Sequence, residues 1–157
     1  MKTAIVYYSQ HHGNTKKLVD AIASQYEVEL INVTENTNAD LTNFDCIGFA
    51  SGIYFSSFAK QLLTFAEKNL PENKAVFFMN TCGIQSPVVY FDAIRKIAKA
   101  KKCCELGTYQ CLGFDTFGPF KIVGGIAKGH SDEDEIAAAV RFYGEIQTKL
   151  ICMKQKH

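Results

Sequence analysis

The sequence predicts a doubly wound α/β domain, a five-stranded parallel sheet with helices on both faces. Short apolar runs alternate with helix-spaced apolar residues from one end of the chain to the other. Most of those runs are continuously apolar or β-branched rather than alternating, as strands covered on both faces must be. A length of 157 residues supplies one core, since domains cluster near roughly 100–150 residues. The chain is therefore read as a single domain over 1–157. With 47% hydrophobic and 21% charged residues it can fill a core and is too apolar for disorder.

The strand runs are 2–8, 28–33, 46–50, 75–80 and 105–111. Between the first two, Leu18, Ile22 and Tyr26, with Val19 and Ala23 beside them, recur at helical spacing behind an Asn14-Thr15 start. The crossover from the second run to the third has no such stripe, and a helix there is left open. Phe58, Leu62, Phe65 and Ala66 form the next stripe, ending before Pro71; Phe91, Ile94 and Ala98 form another, entered at Pro87. Ile136, Ala139, Val140, Tyr143, Ile146 and Leu150 form the last, where Ser131 with Asp134 reads as a capping box. Right-handed crossovers leave this order few topologies. The stretch 112–130 fits no element: it holds Gly113, Gly118, Gly124, Gly125, Gly129 and three phenylalanines, and is too long for an idle connection. It reads as a lid or pocket wall.

Seventeen basic residues against sixteen acidic ones leave a formal charge of +1, so the total gives no nucleic-acid footprint. No apolar run approaches the roughly 18–20 residues of a membrane span, and the start MKTAIVYYS lacks the sections of a signal peptide. A cytoplasmic protein is expected, with no nucleic-acid or membrane partner. Cys46, Cys82, Cys103, Cys104, Cys111 and Cys152 contain no CxxC pair and stand at no zinc spacing from the histidines. All six read as reduced thiols, and no metal is expected. Arg95, Lys96, Lys99, Lys101 and Lys102 form a basic cluster that reads first as a solvated face complementing a helix dipole, and second as a docking patch.

In open parallel sheets, ligands bind beyond the carboxyl ends of the strands, where strand order reverses. There the first run gives way to Ser9-Gln10-His11-His12-Gly13-Asn14-Thr15, rich in hydroxyl and amide groups and opening straight into a helix. Backbone N–H groups and the dipole at a helix start favour an anion, and Gly13 admits close approach, so the turn suits a phosphate monoester. Charge-assisted bonds of roughly 1.5–3 kcal/mol each would outweigh stacking at about 0.5–1.5 kcal/mol per aromatic pair. The other reading is an ordinary loop capped by Asn14 or Ser9. No lysine stands where a P-loop needs it, the near miss GGIAKGHS having His130 there, and no GxGxxG is present; a mononucleotide fits better than a triphosphate or dinucleotide. The third strand ends in Ser51-Gly52-Ile53-Tyr54-Phe55 and the fourth in Thr81-Cys82-Gly83-Ile84. These loops can offer backbone groups to the edge of a heteroaromatic ring while Tyr54 or Phe55 covers its face. The plainer reading packs both aromatics over the next helix, and makes Cys82 structural rather than a redox thiol.

On these residues the chain resembles the flavodoxins, in their short form, over nearly its whole length. Ser9 followed by Gly13-Asn14-Thr15 is similar to the family's S/T-x-x-G-N-T phosphate loop, with one residue more, His11 and His12 standing where one hydroxyl residue is usual. The resemblance implies a three-layer α/β/α fold with strand order 2-1-3-4-5. It also implies FMN as cofactor, its phosphate on Ser9, Asn14 and Thr15 and its ring between the loops at 51–55 and 81–84. A protonated histidine beside the phosphate is physically reasonable, and Gly52 would present a peptide able to reverse as the ring is reduced. The chain departs from the family in lacking tryptophan and in not being acidic. Ring stacking would fall to Tyr54, Phe55 or an aromatic of 114–120. The implied function is electron transfer between redox partner proteins, a reductase and an acceptor, by a monomer or weak dimer. The enzyme alternative is an FMN-dependent NAD(P)H oxidoreductase acting on quinones or nitro compounds.

Overall fold

A computed structural model describes residues 1–10, 13–84, 89–113 and 129–155. His11, His12 and 114–128 of the expected lid lie outside these, as does Pro87. The elements are β1 (Thr3–Tyr8), α1 (Asn14–Gln25), β2 (Glu29–Asn32), β3 (Cys46–Tyr54), β4 (Ser57–Phe58), α2 (Lys60–Asn69), β5 (Ala75–Cys82), α3 (Asp92–Ala100), β6 (Cys104–Leu112) and α4 (Glu133–Lys154). Five strands pair in parallel in the order β2-β1-β3-β5-β6, and β4 folds back antiparallel on the end of β3. Without that two-residue strand, this is the expected 2-1-3-4-5 sheet. The chain thus reverses direction of growth at β1, which puts the carboxyl ends of β1 and β3 at the switch point.

Alternation along the strands divides the core. Ala4, Val6, Ile47, Phe49, Val76 and Phe78 face α2 and α3, where Leu62, Phe65, Ile94 and Ala98 meet them. Ile5, Cys46, Ala50, Phe77 and Met79 face α1 and α4, against Leu18, Ile22, Tyr143 and Ile146. Burying each of the larger side chains is worth about 1.5–3 kcal/mol, so the helices are held by these stripes rather than by their ends. At Gly48 the second face has no room for a side chain, because the Phe77 ring occupies the place a Cβ would take.

One open question closes and one expectation changes. No helix forms between β2 and β3; the described chain there makes turns. Asn32, Asn36 and Asp40 each accept hydrogen bonds from the backbone N–H two residues on, at Thr34, Asn38 and Thr42, and these local bonds compete with a helix ladder. The capping box of α4 is Asp132 with Glu135, one residue later than the expected Ser131 with Asp134: the Asp132 carboxylate accepts from Glu135 N–H and the Glu135 carboxylate from Asp132 N–H. Ser131 is buried, and its hydroxyl donates instead to the Leu112 carbonyl at 3.0 Å.

Gly48→Ala places a methyl inside the Phe77 ring contact, and overpacking of this kind costs about 1–3 kcal/mol. Urea unfolding is expected to show a lower midpoint with an unchanged slope; an unchanged midpoint would mean that the two faces of the sheet are not packed as described.

Candidate functional site

The turn from β1 into α1 places Gly13 at φ 67°, a left-handed conformation in which a side chain is strained, and nothing lies within 4 Å of where its Cβ would be. Gly13 is also the N-cap residue and offers no side chain of its own, and the first turn of α1 contains no carboxylate. Asn14 is the first helical residue, and the Ser9 hydroxyl satisfies one of the first-turn donors, accepting the Lys16 N–H at 3.2 Å. Asn14 and Thr15 are buried. The Thr15 and Thr81 hydroxyls share a buried hydrogen bond of 3.0 Å, which ties the helix start to the end of β5. Gly113, at the end of β6, closes the same corner: a Cβ there would come within 2.9 Å of Asn14 Nδ2 and 3.1 Å of Thr81 Cβ. The start of α1 is thus tied to β5 and β6, and its backbone donors and dipole are of the kind that fits a doubly negative phosphoryl group.

α4 also begins at this edge of the sheet, and it neutralises itself. Glu133, Asp134 and Glu135 occupy its first turn. Glu135 accepts from Leu112 N–H at 3.2 Å and stands 2.8 Å from His130 Nδ1. His130, Asp132 and Glu135 bring ligand-type atoms within 4.8 Å of one another, but the carboxylates are committed to the cap.

Beside the α1 start stand the two loops expected to flank a ring. β3 runs on past residue 50 to Tyr54 and turns through Phe55 (φ 48°) and Ser56 (φ 60°) into β4. Both turn positions are left-handed, the geometry of a tight hairpin usually made by Asn-Gly, and Phe55 is 88% exposed at its tip. Tyr54 folds inward: its ring lies edge-on to Tyr8 at 5.7 Å, and a Cβ on Gly52 would meet its hydroxyl at 3.0 Å. Ser51 is buried, accepting from Ala59 N–H and donating to the Gly52 carbonyl. Ile53 packs against the core. On the other loop Ile84 is exposed, and the Tyr90 hydroxyl holds its carbonyl at 2.9 Å. Gly83 stands between Ile84 and the end of β5. The Cys82 thiol is buried and donates to the Cys111 carbonyl at 3.4 Å, a structural contact.

Of the expected residues, Ser9, Gly13, Asn14, Thr15, Thr81 and Gly52 meet at the carboxyl edge of the sheet, with Phe55 and Ile84 exposed near it. Gln10 lines a cleft of about 480 Å³ together with Tyr8, Tyr54 and Phe55. Gly113, expected in a lid or pocket wall, instead closes the corner against Asn14 and Thr81. Tyr8 and Tyr90 escape sequence reasoning, because they sit in runs that read as strand and helix entrance. Arg95 of the basic cluster is taken up by Glu105, with an Nη2–Oε1 distance of 2.7 Å, and lies over the Phe91 ring.

All six cysteines are free thiols. Burial raises the Cys46 thiol from 9.0 to about 12 and the Cys111 thiol from 9.0 to about 11. Among the described residues, no helix is long and apolar enough to cross a membrane.

A parallel α/β domain with a helix starting at its switch point defines the doubly wound class of folds, and comparison with known proteins narrows it. Residues 5–102 match the flavodoxin domain family. An uncharacterized protein of Methanocaldococcus jannaschii is 36% identical over 143 residues, covering 90% of this chain and 95% of that one. The chain belongs to the flavodoxin family. Among solved structures it is similar in fold to the flavodoxin of Streptococcus pneumonia TIGR4, with TM-score 0.67 and 16% identity over 95% of this chain and 99% of that one. It is likewise similar to the Fusobacterium nucleatum flavodoxin bound to flavin mononucleotide, with TM-score 0.65 and 14% identity over the same shares, 95% and 99%.

The thiols give a pH-dependent test. Native Cys46 and Cys111 keep protons that an unfolded chain releases above pH 9, so stability is expected to be intact below pH 9 and to fall as pH rises through about 11 and then about 12. At pH 8 a thiol reagent is expected to modify the exposed Cys104 and Cys152 rapidly and to leave Cys46 and Cys111 unreacted until denaturant is added. Rapid modification of Cys46 in the native protein would contradict its burial.

Proposed function

We propose that this chain is an FMN-binding electron carrier that passes electrons between a reductase and an acceptor protein. The observation that carries the reading is the start of α1, with glycine at its N-cap and no carboxylate in its first turn, set beside the two loops that end in Phe55 and Ile84. Ser9, Asn14, Thr15 and the Gly13 backbone would hold the phosphate; Gly52, Tyr54, Phe55, Cys82, Gly83 and Ile84 would flank the ring. Bound FMN supplies the one- and two-electron chemistry. The chain's part is to anchor, orient and shield. Gly52, whose side-chain position is taken by the Tyr54 hydroxyl at 3.0 Å, would present its peptide to the ring. The likeness to flavodoxins, one of them bound to flavin mononucleotide, supports this assignment.

A second reading has one observation in its favour. The cleft beside Phe55 is about 480 Å³, within the range of small-molecule sites, so a flat substrate or a nicotinamide has room next to the ring loops, as an FMN-dependent NAD(P)H oxidoreductase requires. Anaerobic mixing with NADPH alone discriminates. A carrier stays oxidised until a reductase is added, and an oxidoreductase bleaches at once.

Asn14→Ala combined with Thr15→Ala removes phosphate contacts worth roughly 1.5–3 kcal/mol each, so FMN affinity is expected to fall about 100-fold or more while riboflavin affinity changes little. Titrating both flavins by fluorescence quenching makes the comparison, and equal losses for the two would remove the phosphate-turn assignment.

A further inference from the structure

Tyr8 is the last residue of β1, and its side chain leaves the sheet on the side covered by α2, with Ala4 and Val6 of the same strand. Its ring lies edge-on to Tyr54 at 5.7 Å, and only 4% of the residue is exposed. The hydroxyl stands at the end of the ring farthest from the strand. It hydrogen-bonds to none of the described residues, yet its oxygen is not sealed in, and Tyr8 lines the cleft of about 480 Å³ beside Phe55. Tyrosines this deep usually find a partner for the hydroxyl, since an unpaired buried group costs about 1–3 kcal/mol. Here the hydroxyl is turned toward the cleft instead. Burial raises the Tyr8 phenol above its ordinary 10.0, so at neutral pH it keeps its proton and acts as a donor.

The walls decide what can meet that donor. Tyr54, Phe55 and Leu63 are accessible and give the cleft apolar sides. Lys60 and Gln61, both exposed at the start of α2, add further donors, and among the described residues no carboxylate lines the cleft. A ligand whose polar groups were all donors would leave the Tyr8 proton unpaired. A quinone carries a carbonyl acceptor at each end of a flat apolar ring, so one oxygen can meet Tyr8 while the other faces the donors of α2. We propose that Tyr8 is a specificity-determining residue, its hydroxyl donating to one carbonyl oxygen of a quinone held between Tyr54, Phe55 and Leu63. The proposal deepens the oxidoreductase reading and rests on it for its use, but the binding itself makes no covalent bond and does not require FMN.

Equilibrium dialysis of duroquinone against the full chain, with and without saturating FMN, tests it. Methyl groups on every free ring carbon keep this quinone from adding to the six free thiols. Binding is expected in both samples, and Tyr8→Phe is expected to weaken it about fivefold, the loss of one neutral hydrogen bond. The hydrocarbon 1,2,4,5-tetramethylbenzene has the same shape without the carbonyls, and its affinity is expected to stay within about twofold in Tyr8→Phe. Phe55→Ala is expected to weaken both ligands. Tyr8→Phe keeps the ring and deletes an oxygen that no described residue bonds, so its urea midpoint is expected to match the wild type. Four outcomes overturn the proposal: no duroquinone binding to the wild-type chain in either sample, no loss in Tyr8→Phe, equal losses for the quinone and the hydrocarbon, or displacement of the quinone by FMN. FMN titration and anaerobic NADPH separate this from the reading it rests on. FMN binding and bleaching by NADPH without quinone binding remove the Tyr8 site alone, whereas a Tyr8-dependent quinone site in a chain that NADPH does not bleach upholds the site and removes the oxidoreductase reading.

Discussion

The hydrogen bond between Thr15 and Thr81 joins the first turn of α1 to the end of β5 across a corner closed by Gly113. Three elements distant in sequence are locked there at the switch point of the sheet. An anion site made of main-chain dipoles has no charged side chain to aim at a ligand, so its strength depends on the backbone being held still. That immobility comes from the buried hydroxyl pair below and from the glycines around it. At Gly113 a side chain would push on Asn14 itself, and at Gly13 the left-handed turn keeps the outer side of the helix start clear.

The helices that begin along this edge are treated differently at their starts. α4 covers its positive end with the Asp132–Glu135 box and three acids in its first turn, and the Glu135 carboxylate reaches over to β6 as well. α1 has glycine at its N-cap, no acid in its first turn, and the Ser9 hydroxyl on the Lys16 N–H, while α2 likewise has neither a side-chain bond from its N-cap residue nor an acid. Polar caps contribute about 0.5–2 kcal/mol over alanine, but glycine at an N-cap gives up only a few tenths of that, so α1 loses little stability by it.

The sheet was legible because its strands are continuous apolar runs, and α1 through α4 because their stripes have helical spacing. The Ser9 to Thr15 turn was legible for a different reason: polar residues and a glycine sit where the fold class puts ligands. What escaped is decided by one-residue choices. Ser131 and Asp132 are both competent caps, and only the pull of the Leu112 carbonyl on Ser131 settles between them. The coil between β2 and β3 follows from asparagine and aspartate side chains bonding two residues ahead, a competition that no apolar count registers. The hairpin of β3 and β4 was invisible because Phe-Ser is an unexpected pair for a turn that needs two left-handed residues.

That hairpin bears on how the site is built. Non-glycine residues held in left-handed geometry cost of order 1–3 kcal/mol each, and here two occur in succession. The strain fixes the direction of the chain so that Tyr54 turns inward onto Tyr8 and Gly52 while Phe55 is left in solvent at the tip. A relaxed Asn-Gly turn would satisfy the backbone and forfeit the aromatic. An exposed ring carried on a left-handed turn beside the start of α1 is poorly explained by the stability of the isolated chain, and the proposed flavin would supply the flat surface whose burial against Phe55 offsets that cost.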